Sequence, residues 1–367
     1  MRLTGVSRAV GMRLARDLPA AKPGQIPLLR SGALITERYQ RALVDQGIHA
    51  VWVWDELSDG IEPAELIPEP VRAETASQVQ RSLERARKAF SAKQPLPLEA
   101  IQDLASIVDK LTSFLLDTPD AALALNDLAA ADQYTHRHSI NVTALGLMLA
   151  RLQFRREGWF DYRGERRYDR VDERLSLLGM GLLLHDIGKM AVPAEVLNKP
   201  GQLDDHEWKL MRGHPEAGVA LLNPRSTSPL VMAVIRDHHE RLDGSGYPRA
   251  ISGEEIHQFA RFAAVADVYD AITSERPYKG AAPAHVGVDV INSGQGTTFD
   301  PEVVDTFRRA VFPFPVGSEI KLADGRTRVV AQVDPAEPEM PVVRVPEGDG
   351  TVEVTLDTRG DEVALGA

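Results

Sequence analysis

The stretch Leu182-Leu-Leu-His-Asp-Ile-Gly-Lys189 places an imidazole and a carboxylate directly after an apolar run that covers residues 175–184. A helix that is apolar on all sides is buried at the centre of a domain. Burying a polar pair at the end of such a helix is costly unless opposite charge or hydrogen bonds compensate. The stretch therefore predicts a central buried helix that ends in a polar site.

Composition excludes several classes of protein. The chain has 367 residues, a net charge of −11, 43% hydrophobic residues and no cysteine. Disordered chains are poorer in apolar residues, and a chain without cysteine has no disulfides, thiolate metal sites or cysteine nucleophiles. The acidic balance disfavours a nucleic-acid polymer as partner. Because no run reaches the roughly 18 apolar residues of a membrane span, and residues 1–30 lack a secretory signal, we expect a soluble, multidomain cytoplasmic protein.

The residue pattern changes three times along the chain. Residues 1–62 mix helix and strand signals, with a strand predicted over residues 48–54, and residues 63–119 combine a proline-rich linker with two connecting helices. Residues 120–312 have helical spacing, and residues 313–367 change to the two-residue period of strands. We predict a mainly α protein in which a helical bundle surrounds a metal centre, flanked by a small α/β N-terminal region and a small C-terminal β-domain.

The metal centre is predicted from histidines and aspartates in the helical region. His185 and Asp186 are followed, farther along, by the double histidine His238 and His239. Imidazole and carboxylate bind divalent first-row metals, and no thiolate competes with them here. A lone His-Asp pair is more often an ordinary packed pair, but the two pairs together favour a metal site. The remaining candidate ligands are His138, His214 and Asp267.

Seven segments in this region resemble the motifs of the HD-GYP family of bacterial cyclic di-GMP phosphodiesterases, a branch of the HD-domain metal-dependent phosphohydrolases. Their order and spacing agree with the family over about residues 120–310. The matching segments are Tyr134-Thr-His-Arg-His138-Ser-Ile-Asn-Val, Leu182-Leu-Leu-His-Asp-Ile-Gly-Lys189, Lys199-Pro-Gly-Gln-Leu203, Arg212-Gly-His214-Pro, His238-His-Glu-Arg-Leu-Asp-Gly-Ser-Gly-Tyr-Pro248, Ala266-Asp-Val-Tyr-Asp-Ala271 and Arg276-Pro-Tyr-Lys279.

The resemblance implies an HD-type bundle and assigns roles residue by residue. Asp186 would bridge two ions and act in catalysis with Lys189, whose ammonium would face the substrate phosphate. Where some members have a glutamate for a third metal, this chain has Tyr134, which favours two metals. The implied metal ligands are His138, His185, Asp186, His214, His238, His239 and Asp267.

The resemblance also implies a substrate-binding set. Gly246 would let the backbone approach the substrate, next to Tyr247 and Pro248, and the basic pair Arg276 and Lys279 would grip the phosphates. Asp270 is expected either in the substrate pocket or as a hydrogen-bonding partner of a ligand, with an exposed or capping carboxylate as the open alternative.

The activity implied is hydrolysis of cyclic di-GMP to pGpG and onward to GMP by a hydroxide that bridges two metals. The resemblance favours iron, while N/O ligands also permit manganese. Two alternatives stay open: a cyclic-dinucleotide receptor with negligible turnover, and an HD hydrolase of another dinucleotide such as 3′,3′-cyclic GMP-AMP. The expected partners are a cyclic dinucleotide and, through the flanking regions, a second copy of the chain or another protein.

Overall fold

The structure is a computed structural model, and it describes residues 1–18, 27–46, 48, 50–63, 69–92, 94, 96–117, 134–161, 163–199, 201–225, 227–274, 281–322, 325–348 and 350–358. The α-helices are α1 (Glu37–Asp45), α2 (Glu69–Ser91), α3 (Leu98–Asp117), α4 (Tyr134–Glu157), α5 (Val171–Leu184), α6 (Ala194–Leu197), α7 (Asp205–Met211), α8 (His214–Ala220), α9 (Pro229–Asp237), α10 (Gln258–Thr273), α11 (Ala284–Ser293) and α12 (Pro301–Ala310). The strands are β1 (Arg2–Gly5), β2 (Arg13–Leu14), β3 (Ala50–Trp54), β4 (Trp159–Phe160), β5 (Arg166–Arg167), β6 (Glu319–Lys321), β7 (Thr327–Gln332), β8 (Val342–Glu347) and β9 (Gly350–Thr355).

The predicted central helix is α5, which packs against α3, α4 and α9. Leu178 and Leu182 have no exposed surface, as expected for a helix that is apolar nearly all round. α10 is the second buried helix and packs against α4, α9 and α11. The mainly α architecture predicted from the sequence is confirmed, and the site lies where α4, α5, α8, α9 and α10 meet.

Helix ends follow local chemistry. Asp204 caps α7 by accepting a hydrogen bond from the backbone of Glu207, whose side chain in turn accepts one from the Asp204 backbone. The predicted linker is shorter than expected, because α2 already begins at Glu69 with Pro70 in its first turn, where a missing amide hydrogen is tolerated. Residues 64–68, which belong to that linker, lie outside the described residues.

Both flanking regions contain antiparallel sheets. β1, β3 and β2 form the N-terminal sheet in the order β1-β3-β2, and β6 to β9 form a four-stranded meander. The predicted strand over residues 48–54 is β3, and the first strands of the predicted C-terminal β-domain form the antiparallel β6–β7 pair. The domain boundaries at residues 62, 119 and 312 stay predictions.

The two flanking regions also contact each other, which the sequence pattern does not indicate. The Leu3 amide donates a hydrogen bond to the Gly317 carbonyl over 3.0 Å. The guanidinium of Arg2 pairs with Asp55 in the N-terminal region and with Glu319 in the C-terminal sheet. In the part of the chain that the structure describes, no helix is long and apolar enough to cross a membrane.

Candidate metal centre

Seven predicted ligands converge from five helices. His138 lies on α4, His185 caps the C-terminal end of α5, and Asp186 follows it. The other four come from α8 and the ends and interior of α9 and α10. His214 begins α8, His238 and His239 directly follow α9, and Asp267 lies within α10. All seven residues are buried except His239, which is partly buried.

Four of the imidazoles have a fixed orientation because their Nδ1 atoms face acceptors. A carbonyl or carboxylate oxygen only accepts, so Nδ1 carries the hydrogen and the neutral ring keeps a lone pair on Nε2. The acceptors are Asp270 Oδ2 for His138 (2.6 Å), Leu182 O for His185 (2.6 Å), Met211 O for His214 (2.7 Å) and Ile235 O for His238 (3.0 Å).

The four Nε2 atoms face one another in two pairs. Nε2 of His138 lies 3.3 Å from Nε2 of His185, and Nε2 of His214 lies 3.3 Å from Nε2 of His238. In the His214–His238 pair, where burial keeps both rings neutral, two lone pairs at this distance repel each other unless a cation lies between them. In the other pair, a proton or a metal ion on Nε2 of His138 removes the repulsion. The donor set therefore fits divalent metal ions, for which neutral imidazole is a preferred ligand.

The Asp186 carboxylate divides its two oxygens between these pairs. Oδ2 lies 3.4 Å from Nε2 of both His138 and His185, whereas Oδ1 lies 3.4 Å from Nε2 of His214 and 3.9 Å from that of His238. One carboxylate thus faces both groups of donors.

Two half-sites follow from this division. We call His138, His185, Asp267 and Asp186 Oδ2 the His138 half-site; Asp267 Oδ1 lies 3.2 Å from Nε2 of His138. The His214 half-site consists of His214, His238, His239 and Asp186 Oδ1, whose donor atoms all lie within 4.8 Å of one another.

Carboxylates govern the protonation of the His138 half-site. Burial alone would lower the pKa of His138, but Asp186, Asp267 and Asp270 raise it well above its usual value. Burial would raise the pKa of Asp186, yet the charge of Lys189 and the hydrogen bond with His138 help to hold it well below the usual range. Asp267 is likewise held well below that range, against burial, chiefly by its hydrogen bond with His138. This half-site is a negative pocket that attracts a cation.

The His214 half-site has neutral ligands instead. Burial lowers the pKa of His214, lowers that of His238 well below its usual value, and lowers that of His239 to about 3. Neutral imidazoles are the form that binds a metal. This half-site therefore presents three uncharged donors and a share of one carboxylate.

Asp270 requires a correction. It was predicted in the substrate-binding set, but it has no exposed surface and both oxygens are used within the protein. Oδ2 accepts from His138 Nδ1 over 2.6 Å, and Oδ1 accepts from Asn141 over 2.9 Å and from Ser274 over 2.8 Å. Asp270 thus orients His138, the other predicted role, and it has no surface left for substrate.

Lys189 lies at the edge of the centre on the 3₁₀ helix Ile187–Ala191. Its ammonium donates to Asp186 Oδ2 over 2.6 Å, and a quarter of its side chain is exposed. Gly188 packs so tightly against α8 that a Cβ atom there would overlap the His214 carbonyl and the Gly218 backbone. Glycine at this position therefore allows Asp186 and His214 to approach each other.

The loop after His239 covers one side of the centre. The Tyr247 ring stacks on His239 with centroids 4.6 Å apart, and the Tyr247 amide donates to the His239 carbonyl over 3.2 Å. A Cβ atom at Gly246 would overlap the backbone of Glu240 and Arg241. Gly246 was predicted to allow approach of the substrate, and the structure supplies a packing reason for the same glycine. Pro248 follows in the loop.

Sequence reasoning missed the residues that anchor this loop. Glu240, which is almost fully buried, accepts a hydrogen bond from the Arg249 amide over 2.7 Å. The Arg249 guanidinium donates to both oxygens of buried Asp237, at 3.2 and 2.8 Å. Glu240 directly follows the double histidine, and this adjacency is the signal that could have identified it.

Two predicted elements lie outside the described residues or side chains. Arg276 and Lys279 fall in residues 275–280, which the structure does not describe, and nothing is described of the Tyr134 side chain. The basic pair and the number of metals therefore stay predictions.

Comparison with known proteins agrees with this geometry. A family model described as an HD domain matches residues 168–303, which contain every predicted ligand except His138. The cyclic di-GMP phosphodiesterase PA4108 of Pseudomonas aeruginosa is 42% identical over 62% of this chain and 51% of its own length. The cyclic di-GMP phosphodiesterase response regulator RpfG of Xanthomonas campestris is 41% identical over 38% of this chain and 37% of its own length.

A third relative is named for a different dinucleotide. The 3′3′-cGAMP-specific phosphodiesterase 3 of Vibrio cholerae is 37% identical over 36% of this chain and 29% of its own length. The chain thus spans about half the length of PA4108 and less of the other two.

Proposed function

We propose that the chain is a member of the HD-GYP family of HD-domain proteins and a metal-dependent phosphodiesterase that hydrolyses cyclic di-GMP to pGpG and onward to GMP. The observation that carries this proposal is the Asp186 carboxylate, which directs one oxygen to each of two pairs of imidazole lone pairs. Such a shared carboxylate is suited to two adjacent ions, and paired ions serve phosphodiester hydrolysis. The names of two relatives support cyclic di-GMP as the substrate.

The two half-sites would each hold one divalent ion. When bound, the pair of ions would activate water and neutralise the phosphodiester. The ligands contain imidazole and carboxylate without thiolate, which suits iron or manganese, and we propose iron as the first choice.

The ligand residues of the two half-sites determine the net charge of the metal centre. Only Asp186 and Asp267 bring negative charge among the seven ligands, whereas the histidines of the His214 half-site are held neutral by burial. Two dications would therefore keep an excess of positive charge in a protein whose net charge is −11. That local charge would attract an anionic dinucleotide.

Lys189 and Tyr247 complete the arrangement. The Lys189 ammonium lies on the Asp186 side of the centre and would stabilise charge that develops on the phosphate oxygens. Tyr247 holds the His239 ring by stacking and keeps that ligand in place.

A second substrate is favoured by one comparison. The 3′3′-cGAMP-specific relative shares 37% identity in the aligned region, so a mixed guanine–adenine dinucleotide is the alternative substrate. Equimolar competition between cyclic di-GMP and 3′,3′-cyclic GMP-AMP, followed by chromatography, separates the two.

The activity is tested with anaerobically purified protein reconstituted with Fe(II) or Mn(II) and incubated with cyclic di-GMP. Products are resolved by chromatography, and metal content is measured on the same sample, with His185→Ala as the comparison. We expect metal-dependent pGpG and GMP that disappear in the variant. Absence of product in protein that holds about two ions per chain would contradict the proposal and favour a receptor.

A further inference from the structure

The surface beside Tyr247 carries an exposed aromatic side chain. α7 contains no buried residue, and Trp208 on this helix is 46% exposed. A large aromatic ring left in water at the edge of a site is a platform on which a nucleobase can stack.

Arg212 links this ring to the metal centre. Its guanidinium carbon lies 5.9 Å from the centroid of the Trp208 ring and 5.4 Å from that of Tyr247. Tyr247 in turn stacks on His239. Arg212 is exposed, and among the described residues its side chain makes no hydrogen bond or ion pair. Its donors are therefore available to a ligand that lies against Tyr247.

The chemistry of the pair favours guanine. A guanidinium donates two parallel hydrogen bonds to O6 and N7 of guanine, whereas adenine presents an amino donor in place of O6. Stacking on an aromatic ring is similar for all bases. Trp208 would thus hold a base, and Arg212 would distinguish guanine from adenine.

We propose that Trp208 and Arg212 form a guanine-binding subsite next to the His214 half-site, which selects the base of the dinucleotide. This inference rests on the proposed function, since it concerns the substrate of the same site. A phosphate would also attract Arg212, but it gives no reason for an exposed Trp208 beside the guanidinium.

The test compares two substrates on reconstituted full-length protein. Cyclic di-GMP needs a base subsite, whereas bis(p-nitrophenyl) phosphate has no base and reports on the metal centre alone. We expect Arg212→Ala to raise KM for cyclic di-GMP about tenfold and to reduce the preference for cyclic di-GMP over 3′,3′-cyclic GMP-AMP. We expect Trp208→Ala to raise KM for both dinucleotides about tenfold. Neither variant should change turnover of bis(p-nitrophenyl) phosphate.

Matched controls exist elsewhere in the chain. Trp54 is 40% exposed on β3, and Arg225 is exposed after α8, so Trp54→Ala and Arg225→Ala remove the same residue types away from the site. Both should behave as wild type. An unchanged KM and base preference in Arg212→Ala would overturn the proposal, as would an equal loss of bis(p-nitrophenyl) phosphate turnover.

Failure of the proposed function has a separate signature. Wild-type protein that hydrolyses bis(p-nitrophenyl) phosphate but not cyclic di-GMP would contradict the phosphodiesterase assignment. Equilibrium dialysis with cyclic di-GMP then tests the proposed guanine subsite. Binding to Arg212→Ala that is about tenfold weaker than to wild-type protein supports the subsite, and equal binding overturns it.

Discussion

The two half-sites share Asp186 but differ in charge. The His138 half-site has Asp267 Oδ1 nearby and the buried Asp270 behind His138, so carboxylates raise the pKa of His138. The other oxygen of Asp267 lies 3.8 Å from Nδ1 of His239. The His214 half-site has three imidazoles whose pKa values are lowered by burial. A cation is thus drawn to the first half-site by charge and to the second by neutral donors.

Under the proposed function, this difference would let one cluster bind two cations and still attract an anion. More carboxylates would bind the ions more tightly but would cancel the positive charge that the substrate needs. Placing Asp270 behind an imidazole, out of reach of substrate, strengthens His138 as a ligand without exposing a further negative group.

The largest effect is expected at the shared carboxylate. Asp186→Asn keeps the size of the side chain but leaves one oxygen and no charge for two half-sites. We expect cyclic di-GMP hydrolysis below detection and metal content reduced from about two ions per chain to less than one. Elemental analysis and the chromatographic assay measure both. The exposed Asp45→Asn is the control, and wild-type activity in Asp186→Asn would mean that the half-sites are not joined by this residue.

Asp270→Asn should affect one half-site selectively. Loss of the charged acceptor on His138 Nδ1 is expected to weaken metal binding at the His138 half-site about 10- to 100-fold, because partners behind a ligand have effects of this size. A calorimetric titration of the protein with metal should show one weakened and one unchanged binding step. Two equally weakened steps would contradict the separation into half-sites.

The charge difference also predicts different pH dependence. The raised pKa of His138 means that an ion must displace a proton there, so affinity should rise about tenfold per pH unit until the pH passes that pKa. Burial lowers the pKa of His239 to about 3. An ion that binds the His214 half-site therefore displaces no proton from His239 between about pH 5 and 8. Calorimetry in two buffers counts the protons released. Equal release by both ions would refute the comparison.

The smallest effect is expected from the loop anchor. Arg249→Ala removes one guanidinium that pairs with buried Asp237, but Arg236 remains 3.1 Å from the same carboxylate, so we expect a loss of stability of about 1–3 kcal/mol. Because the loop stacks on His239, we expect a several-fold lower kcat/KM with the weaker binding confined to the His214 half-site. Thermal unfolding and the same titration measure these changes, and a weakened His138 half-site would count against this interpretation.

Much of the helical region could be predicted because its signals are local. The apolar run before His185 predicts a buried helix, and α5 is that helix. The double histidine before a glycine-rich loop likewise ends α9. Both depend on the chemistry of neighbouring residues along the chain.

Other features depend on contacts between distant residues. α10 is buried on nearly every side, so its sequence does not indicate which face meets His138, and the role of Asp270 was left open. The pairing of Arg2 with Glu319 joins the two ends of the chain and has no local signal. Arg249 and Asp237 are twelve residues apart and meet because the loop folds back.

The most direct test of the account is the dependence of activity on metal equivalents. Metal-free protein is titrated anaerobically with Fe(II), and cyclic di-GMP hydrolysis is measured after each addition. We predict little activity up to about one equivalent and full activity near two, because both half-sites must act on one phosphodiester. Full activity at one equivalent, with no gain from the second, would contradict a centre in which Asp186 joins two ions.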